Sequence, residues 1–282
     1  MMMTIDTQRA YVFVILAFLS GMANAETDQG NTNISVSSNV ALVSDYIWRG
    51  QSQTWGKPAL QVGTEASHTS GAYAGFWAST VSSQWVPGAQ FETDWYVGFR
   101  NKFPATLSEF GYDLNLIYVY LPGGNFNKTG FNLPSSSPNT VEVYAAVNYK
   151  SLSLKTGRVL TKFYGWDTTN SAPGGFVGDP TAGVTGSTNG SYFVELNASQ
   201  DIAEGWNVNG QLGHQTINHS VGLSWSYYKL GIVKSIDSWT MGLACTGGNE
   251  PAAFKDFLGL RNNGSTYSAA RPAVVLSLGH GW

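Results

Sequence analysis

The chain is short of charge. Only 12% of its 282 residues are Asp, Glu, Lys or Arg, about half the share of an ordinary soluble domain, which is too little to cover a water-facing surface in the usual way. Long apolar runs are missing as well. Mean hydropathy is −0.11, and no run of about 20 apolar residues exists to serve as a membrane helix. Cysteine is nearly absent: Cys245 stands alone, which excludes an internal disulfide and any cysteine-pair metal or redox motif. There is no basic excess. A formal charge of −3 and a pI near 5.8 leave no electrostatic footprint for nucleic acid. Disorder is excluded by the 43% apolar content, because disordered chains combine low hydrophobicity with high charge.

What the chain does have is glycine (33 residues) and aromatics (13%). Few charges, much glycine and many rings without a long apolar run fit strands with one apolar and one polar face, as in a transmembrane β-barrel.

The first residues read as an address. Arg9 precedes the apolar stretch Tyr11 to Leu19, followed by Gly21 and by Ala23 and Ala25 around Asn24. This is the order of a secretory signal peptide, 1–25, cleaved after Ala25. The expected mature unit is then a single domain, 26–282.

Beyond Glu26 the pattern has period two, with short β-rich stretches separated by Gly, Pro, Asn and Ser clusters. The predicted strands are 34–48, 58–69, 72–83, 91–102, 110–121, 140–149, 152–160, 191–201, 206–215, 226–236, 239–246 and 271–282. Their connections fall into two kinds. The first, third and later odd connections are 49–57, 84–90, 122–139, 161–190, 216–225 and 247–270; the even ones are 70–71, 103–109, 150–151, 202–205 and 237–238. Long and short connections alternate, so they segregate to opposite ends, as the long outer loops and short periplasmic turns of an outer-membrane barrel do. The fold expected is all-β: one antiparallel up-and-down transmembrane barrel of about 12 strands, with both termini periplasmic.

Alternation inside the strands assigns faces. In 91–102, Phe91, Thr93, Trp95, Val97 and Phe99 alternate with Glu92, Asp94, Tyr96, Gly98 and Arg100; 140–149 and 191–201 behave likewise. A Lys or Arg on the lipid face near mid-bilayer would cost about 2–4 kcal/mol. Arg158 breaks the pattern of 152–160 and is expected near the outer rim. Aromatics are expected as girdles, with Tyr46, Trp48, Phe91, Trp95, Tyr118, Tyr120, Tyr192 and Tyr228 at the outer ends and Phe103, Phe110, Tyr149, Trp206, Trp239 and Trp282 at the periplasmic ends. An alternating last strand ending in Trp282 looks like the signal read by the barrel-assembly machinery. Location in a Gram-negative outer membrane follows.

The stretches NVALVSDYIWRGQSQ (39–53), PALQVGTEASHTSGAYAGFWAS (58–79), TDWYVGF (93–99), FGYDLNLIYVYLPG (110–123) and VEVYAAVNYKSLSLK (141–155) resemble the TorF-like porins, a Gcw_chp-type family of conserved bacterial outer-membrane barrels. The most specific element is Ser44, Asp45, Tyr46, Arg49 and Gly50. The resemblance runs more loosely to the last strand and covers nearly all of the mature chain; 122–139, 161–190 and 247–270 are departures. It implies a small outer-membrane barrel that conducts solutes and says nothing of which.

Twelve strands about 4.8 Å apart, tilted by roughly 40°, make a backbone cylinder roughly 24 Å across, with about 10 Å left inside the side chains. A narrow channel for small solutes fits that space. The pore-lining candidates are Asp45, Glu65, Glu92, Asp94, Asp113, Glu142 and Glu195 against Arg49, Arg100, Lys155 and Lys229. Acids outnumber bases, and carboxylate rings favour cations. Asp45, Arg49 and Glu65 are expected to form a constriction or a structural cluster. Two other readings compete: a filled barrel whose long loops bind at the surface, and an outer-membrane lipid hydrolase. The histidine-bearing segment 214–220 is the nearest approach to a catalytic or metal element; no catalytic, cofactor or metal motif stands out elsewhere. Expected contacts are outer-membrane lipid, the assembly machinery and small solutes, with no nucleic acid; nothing marks an oligomer interface.

Overall fold

The computed structural model describes residues 33–176 and 178–282; the expected leader 1–25 and its cleavage point lie outside them. Twelve long strands follow one another: β1 (Ile34–Val43), β2 (Ala59–His68), β3 (Ala72–Thr80), β4 (Phe91–Lys102), β5 (Phe110–Tyr120), β6 (Thr140–Tyr149), β7 (Leu152–Val159), β8 (Tyr192–Ala203), β9 (Trp206–Thr216), β10 (Trp225–Ile236), β11 (Trp239–Gly248) and β12 (Ala273–Gly281). Each pairs antiparallel with the next, and β12 returns to β1, with Val40 opposite His280 and Leu42 opposite Leu278. The sheet closes on itself and leaves no open edge.

The two faces differ in chemistry. Leu42, Leu60, Trp95, Leu114, Leu154, Leu230 and Leu276 point outward and are each more than half exposed, an apolar wall that water alone would not favour. Two cations share that face, near opposite ends. Arg158 stands opposite Tyr192 beside the long-loop end, and Lys234 lies over the Trp206 ring near a short turn. Long cationic side chains in such positions reach toward water while their stems cover apolar surface.

Glycines let aromatic rings lie flat along the inner wall. Tyr73 faces Gly98 across β3 and β4, and Tyr227 faces Gly213 across β10 and β9. A Cβ at either glycine would overlap the facing ring, so glycine is required there for close approach.

The strand ends agree with the sequence reading to within a few residues, except for the first. A strand over 34–48 was expected, but β1 stops at Val43. The cause is Asp45, whose carboxylate accepts from Ser52 Oγ at 2.6 Å and Thr54 Oγ1 at 2.7 Å, a local alternative to the ladder. The chain turns into a small hairpin in which 47–48 pair with 51–52. Its tip is Arg49–Gly50, with φ of 44° and 76°, the two positive angles that a type I′ turn demands.

The connections at one end, 69–71, 103–109, 150–151, 204–205 and 237–238, merely reverse the chain. At the other end the long loops fold back over and into the barrel. One buried cluster joins Phe163, Phe176, Leu223, Trp225 and Phe254, and a second joins Tyr46, Trp77, Val81, Val86 and Leu121. Trp48, Trp85 and Tyr164 pack against both. Tyr46 and Trp48 are therefore not part of an outer girdle. The hairpin carries them inside, where Tyr46 meets Trp77 edge-on at 5.3 Å.

Candidate channel interior

The hairpin crosses the lumen. It leaves from β1, whose neighbours are β2 and β12, and Arg49 reaches β6 and β9 on the far side of the ring. There its guanidinium donates to Glu142 at 2.6 and 3.2 Å and to Gln215 Oε1 at 2.5 Å. Trp225 Nε1 of β10 donates to the Arg49 carbonyl at 2.7 Å. The guanidinium lies 3.6 Å from the centre of the Phe193 ring and 4.4 Å from that of Trp48. Gly50 touches the wall so closely that a Cβ would overlap Tyr227 and the Gly247 carbonyl. Leaving one partner of such a buried, paired charge alone typically costs about 3–5 kcal/mol, so this latch has a stake in both walls.

The other candidates spread along the wall. Glu65 on β2 pairs with Arg100 on β4, and Arg100 covers the Tyr73 ring at 4.1 Å. Glu92 accepts from Tyr46 at 2.9 Å, Asp113 from Tyr73 at 2.5 Å and Glu195 from Tyr227 at 2.9 Å. Lys155 of β7 stands opposite Glu195 in register and lies 4.0 Å from the centre of the Tyr144 ring. Asp94 Oδ1 is buried without a hydrogen-bond partner among the described residues. Asp94, Glu142, Glu195, Lys155 and Lys229 line a cavity of about 80 Å³ against the hairpin residues Trp48 and Arg49.

Asp45, Arg49 and Glu65, expected in a constriction or a structural cluster, do not meet one another. Asp45 is occupied inside its own loop, Glu65 pairs with Arg100, and Arg49 pairs with Glu142. The reason is the chain reversal at Asp45, which sends Arg49 away from the wall that holds Glu65. The tyrosine partners and Gln215 were missed. A tyrosine in an inward row opposite a glycine, as at Tyr73 and Gly98, is the signal that would have found the first of them.

The tyrosines have an electrostatic consequence. A phenol hydroxyl satisfies a carboxylate lone pair but adds no positive charge, so Glu92 and Asp113 keep more of their field than an ion-paired carboxylate does. Arg100 bridges Glu65 and Arg49 bridges Glu142.

The histidine segment does not gather into a centre. His214 Nδ1 shares a 2.9 Å hydrogen bond with Ser226 Oγ, while His219 binds the Ser187 carbonyl at 2.7 Å and ties two loops together. Among the described residues no group of three or more His, Cys, Asp or Glu is placed to hold a metal ion.

A family model described as "Bacterial protein of unknown function (Gcw_chp)" matches residues 26–278. No curated protein matches the chain. Among solved structures, the KdgM porin is similar at 8% identity and TM-score 0.48, covering 87% of this chain and 98% of that one. The NanC porin gives 7% and 0.47 over 87% and 98%. The COG4313 outer membrane channel from Pseudomonas putida F1 gives 11% and 0.46 over 91% and 99%.

Proposed function

Because the chain belongs to the Gcw_chp family of bacterial proteins, whose function is unknown, we propose its activity from the barrel itself: an outer-membrane channel for small solutes, weakly selective for cations. The observation that carries this reading is the division of one closed sheet into an apolar exterior, more than half exposed at Leu230 and Leu276 and charged only near its two ends, and an interior holding acids and bases. An apolar exterior of this kind is stable against lipid tails, and a charged interior needs water. Seven acids face four bases among the pore-lining candidates, and several of the acids are satisfied by neutral hydroxyls, so the interior attracts cations. Trp282, whose N–H and carbonyl pair with Ser38 at 3.0 and 2.9 Å, is the proposed assembly signal.

The latch sets the passage. With Arg49 docked on Glu142 the hairpin borders a lumen cavity of about 80 Å³, and on this reading the channel passes little until the hairpin yields. The same filling favours a second reading, a closed barrel whose loops act at the surface.

Planar-bilayer recording under a salt gradient separates the two. The channel reading expects small unitary currents with a cation-directed reversal potential, and larger currents in Arg49→Ala. Anion preference overturns the selectivity. Silence in both the parent and Arg49→Ala, each folded by heat-modifiable electrophoretic mobility, overturns the channel and leaves the filled barrel.

A further inference from the structure

A second cavity lies above the lumen, inside the cap made by the long loops. It measures about 220 Å³ and is walled by rings from five connections: Trp48, Trp85, Phe126, Phe163, Phe176 and Phe254. Trp48 and Tyr164, in edge-on contact at 5.3 Å, belong to this cavity and also to the charged one below. They form the wall between an apolar chamber and a polar one.

The lining is not wholly apolar. Gln51, the residue after the Arg49–Gly50 turn, is 2% exposed and borders the chamber. Its Nε2 is buried and has no hydrogen-bond partner among the described residues. A donor left in that state costs about 1–3 kcal/mol. An occupant carrying an acceptor would remove the cost.

Size and shape narrow the occupant. A purely apolar cavity of about 150 Å³ stays dry and binds benzene, so this larger one suits two fused six-membered rings. Aromatic walls favour a flat molecule, which can stack or meet ring edges at the usual spacings. We propose that the cap chamber is a binding site for a small, planar, mostly apolar molecule that presents one hydrogen-bond acceptor, such as a carbonyl, to Gln51 Nε2. The site is distinct from the lumen charges and does not rest on the channel reading.

The test uses the protein reconstituted in phosphatidylcholine vesicles, with quenching of tryptophan fluorescence as the readout, because Trp48, Trp85 and Trp166 line the chamber. Coumarin is the probe with an acceptor and naphthalene the probe of like shape without one. Protein-free vesicles give the partition background. Both probes are expected to show saturable one-to-one binding, coumarin the tighter. Gln51→Leu should weaken coumarin about fivefold, the loss of one neutral hydrogen bond, and leave naphthalene as tight or tighter. Ser171→Phe, which places a ring in the chamber, should abolish saturable binding of both; Leu133→Trp, at another point of the lining, serves the same purpose if the first variant does not reach its folded electrophoretic form. Quenching that only follows lipid partition overturns the site. So does binding in both filled variants that matches the parent. Equal weakening of both probes by Gln51→Leu overturns the role given to its amide.

Discussion

At one end of the barrel, connections such as 150–151 and 237–238 do no more than reverse the chain; at the other, 160–191 and 249–272 return over the barrel and bury Phe163, Trp225 and Phe254. The strands between are the same strands. The difference lies in what each end must satisfy. A tight turn needs only backbone angles that its residues can adopt, as at Asp237 with φ of 51°, whereas a long loop must bury enough surface to offset its ordering entropy. Here the loops do so with rings, and the core of this protein sits at the loop end. Loops held in this way are the usual carriers of binding and selectivity.

The contrast can be broken first at the cap. Phe254→Ala removes a fully buried ring that meets Trp85, Trp166, Phe176 and Trp225, at an expected cost of about 3–5 kcal/mol. Hydrogen exchange should show the amides of 160–191 and 249–272 losing protection while the ladder β6 to β11 keeps its own. Equal loss in both would mean that the two ends are one cooperative unit.

Leu230→Arg attacks the wall instead. This side chain is 63% exposed on the outward face of β10, and in a bilayer the change should cost about 2–4 kcal/mol, read as a lower denaturant midpoint for folding into vesicles. The same change at Val221, exposed in an outer loop, should stay within about 0.5 kcal/mol. If both positions respond alike, the exterior does not face lipid.

Gly50→Ala sharpens the role of the latch. It combines a positive φ, which strains the turn, with overlap against the Gly247 carbonyl, which only the docked hairpin meets, a strain of about 1–3 kcal/mol confined to the hairpin. Bilayer currents should rise with little change in the denaturant midpoint, and unchanged currents would show that the hairpin does not limit passage.

The smallest effect concerns pH. Burial pushes the Asp167 carboxyl up, but hydrogen bonds from Lys162 and Thr169 outweigh it and leave the group below its ordinary value. A depressed folded value stabilises the loop above the unfolded carboxylate range, and that contribution is lost as pH falls through the folded value. Acidification should therefore loosen 160–191 slightly in limited proteolysis, and Asp167→Asn should remove most of that pH dependence.

Much of this was legible in the residues. Phe91 to Arg100 alternate so cleanly that their faces could be assigned from the sequence, and the sorted connections separated the two ends. Lys155 and Arg158 were also separable, since they differ by an odd number of positions in one strand. The latch was not legible. Ser44 to Trp48 reads as the end of a strand, and only the bonds from Ser52 and Thr54 to Asp45 reverse it. Nor could period two reveal which acid meets which base, because Arg49 and Glu142 are far apart in the chain and meet only where the hairpin crosses the lumen.

The sequence by itself determined the closed, two-faced sheet, because side-chain direction in a strand is a local property with a period of two. It also placed the strand acids Glu65, Glu92, Asp94, Asp113, Glu142 and Glu195 on one face. Only the tertiary structure decided how the mouth is filled: the docking of Arg49 on Glu142, the placing of tyrosines over glycines, and the aromatic chamber that Gln51 borders. Each of these depends on segments that meet through the closure of the barrel, and no local pattern encodes the partner that closure supplies.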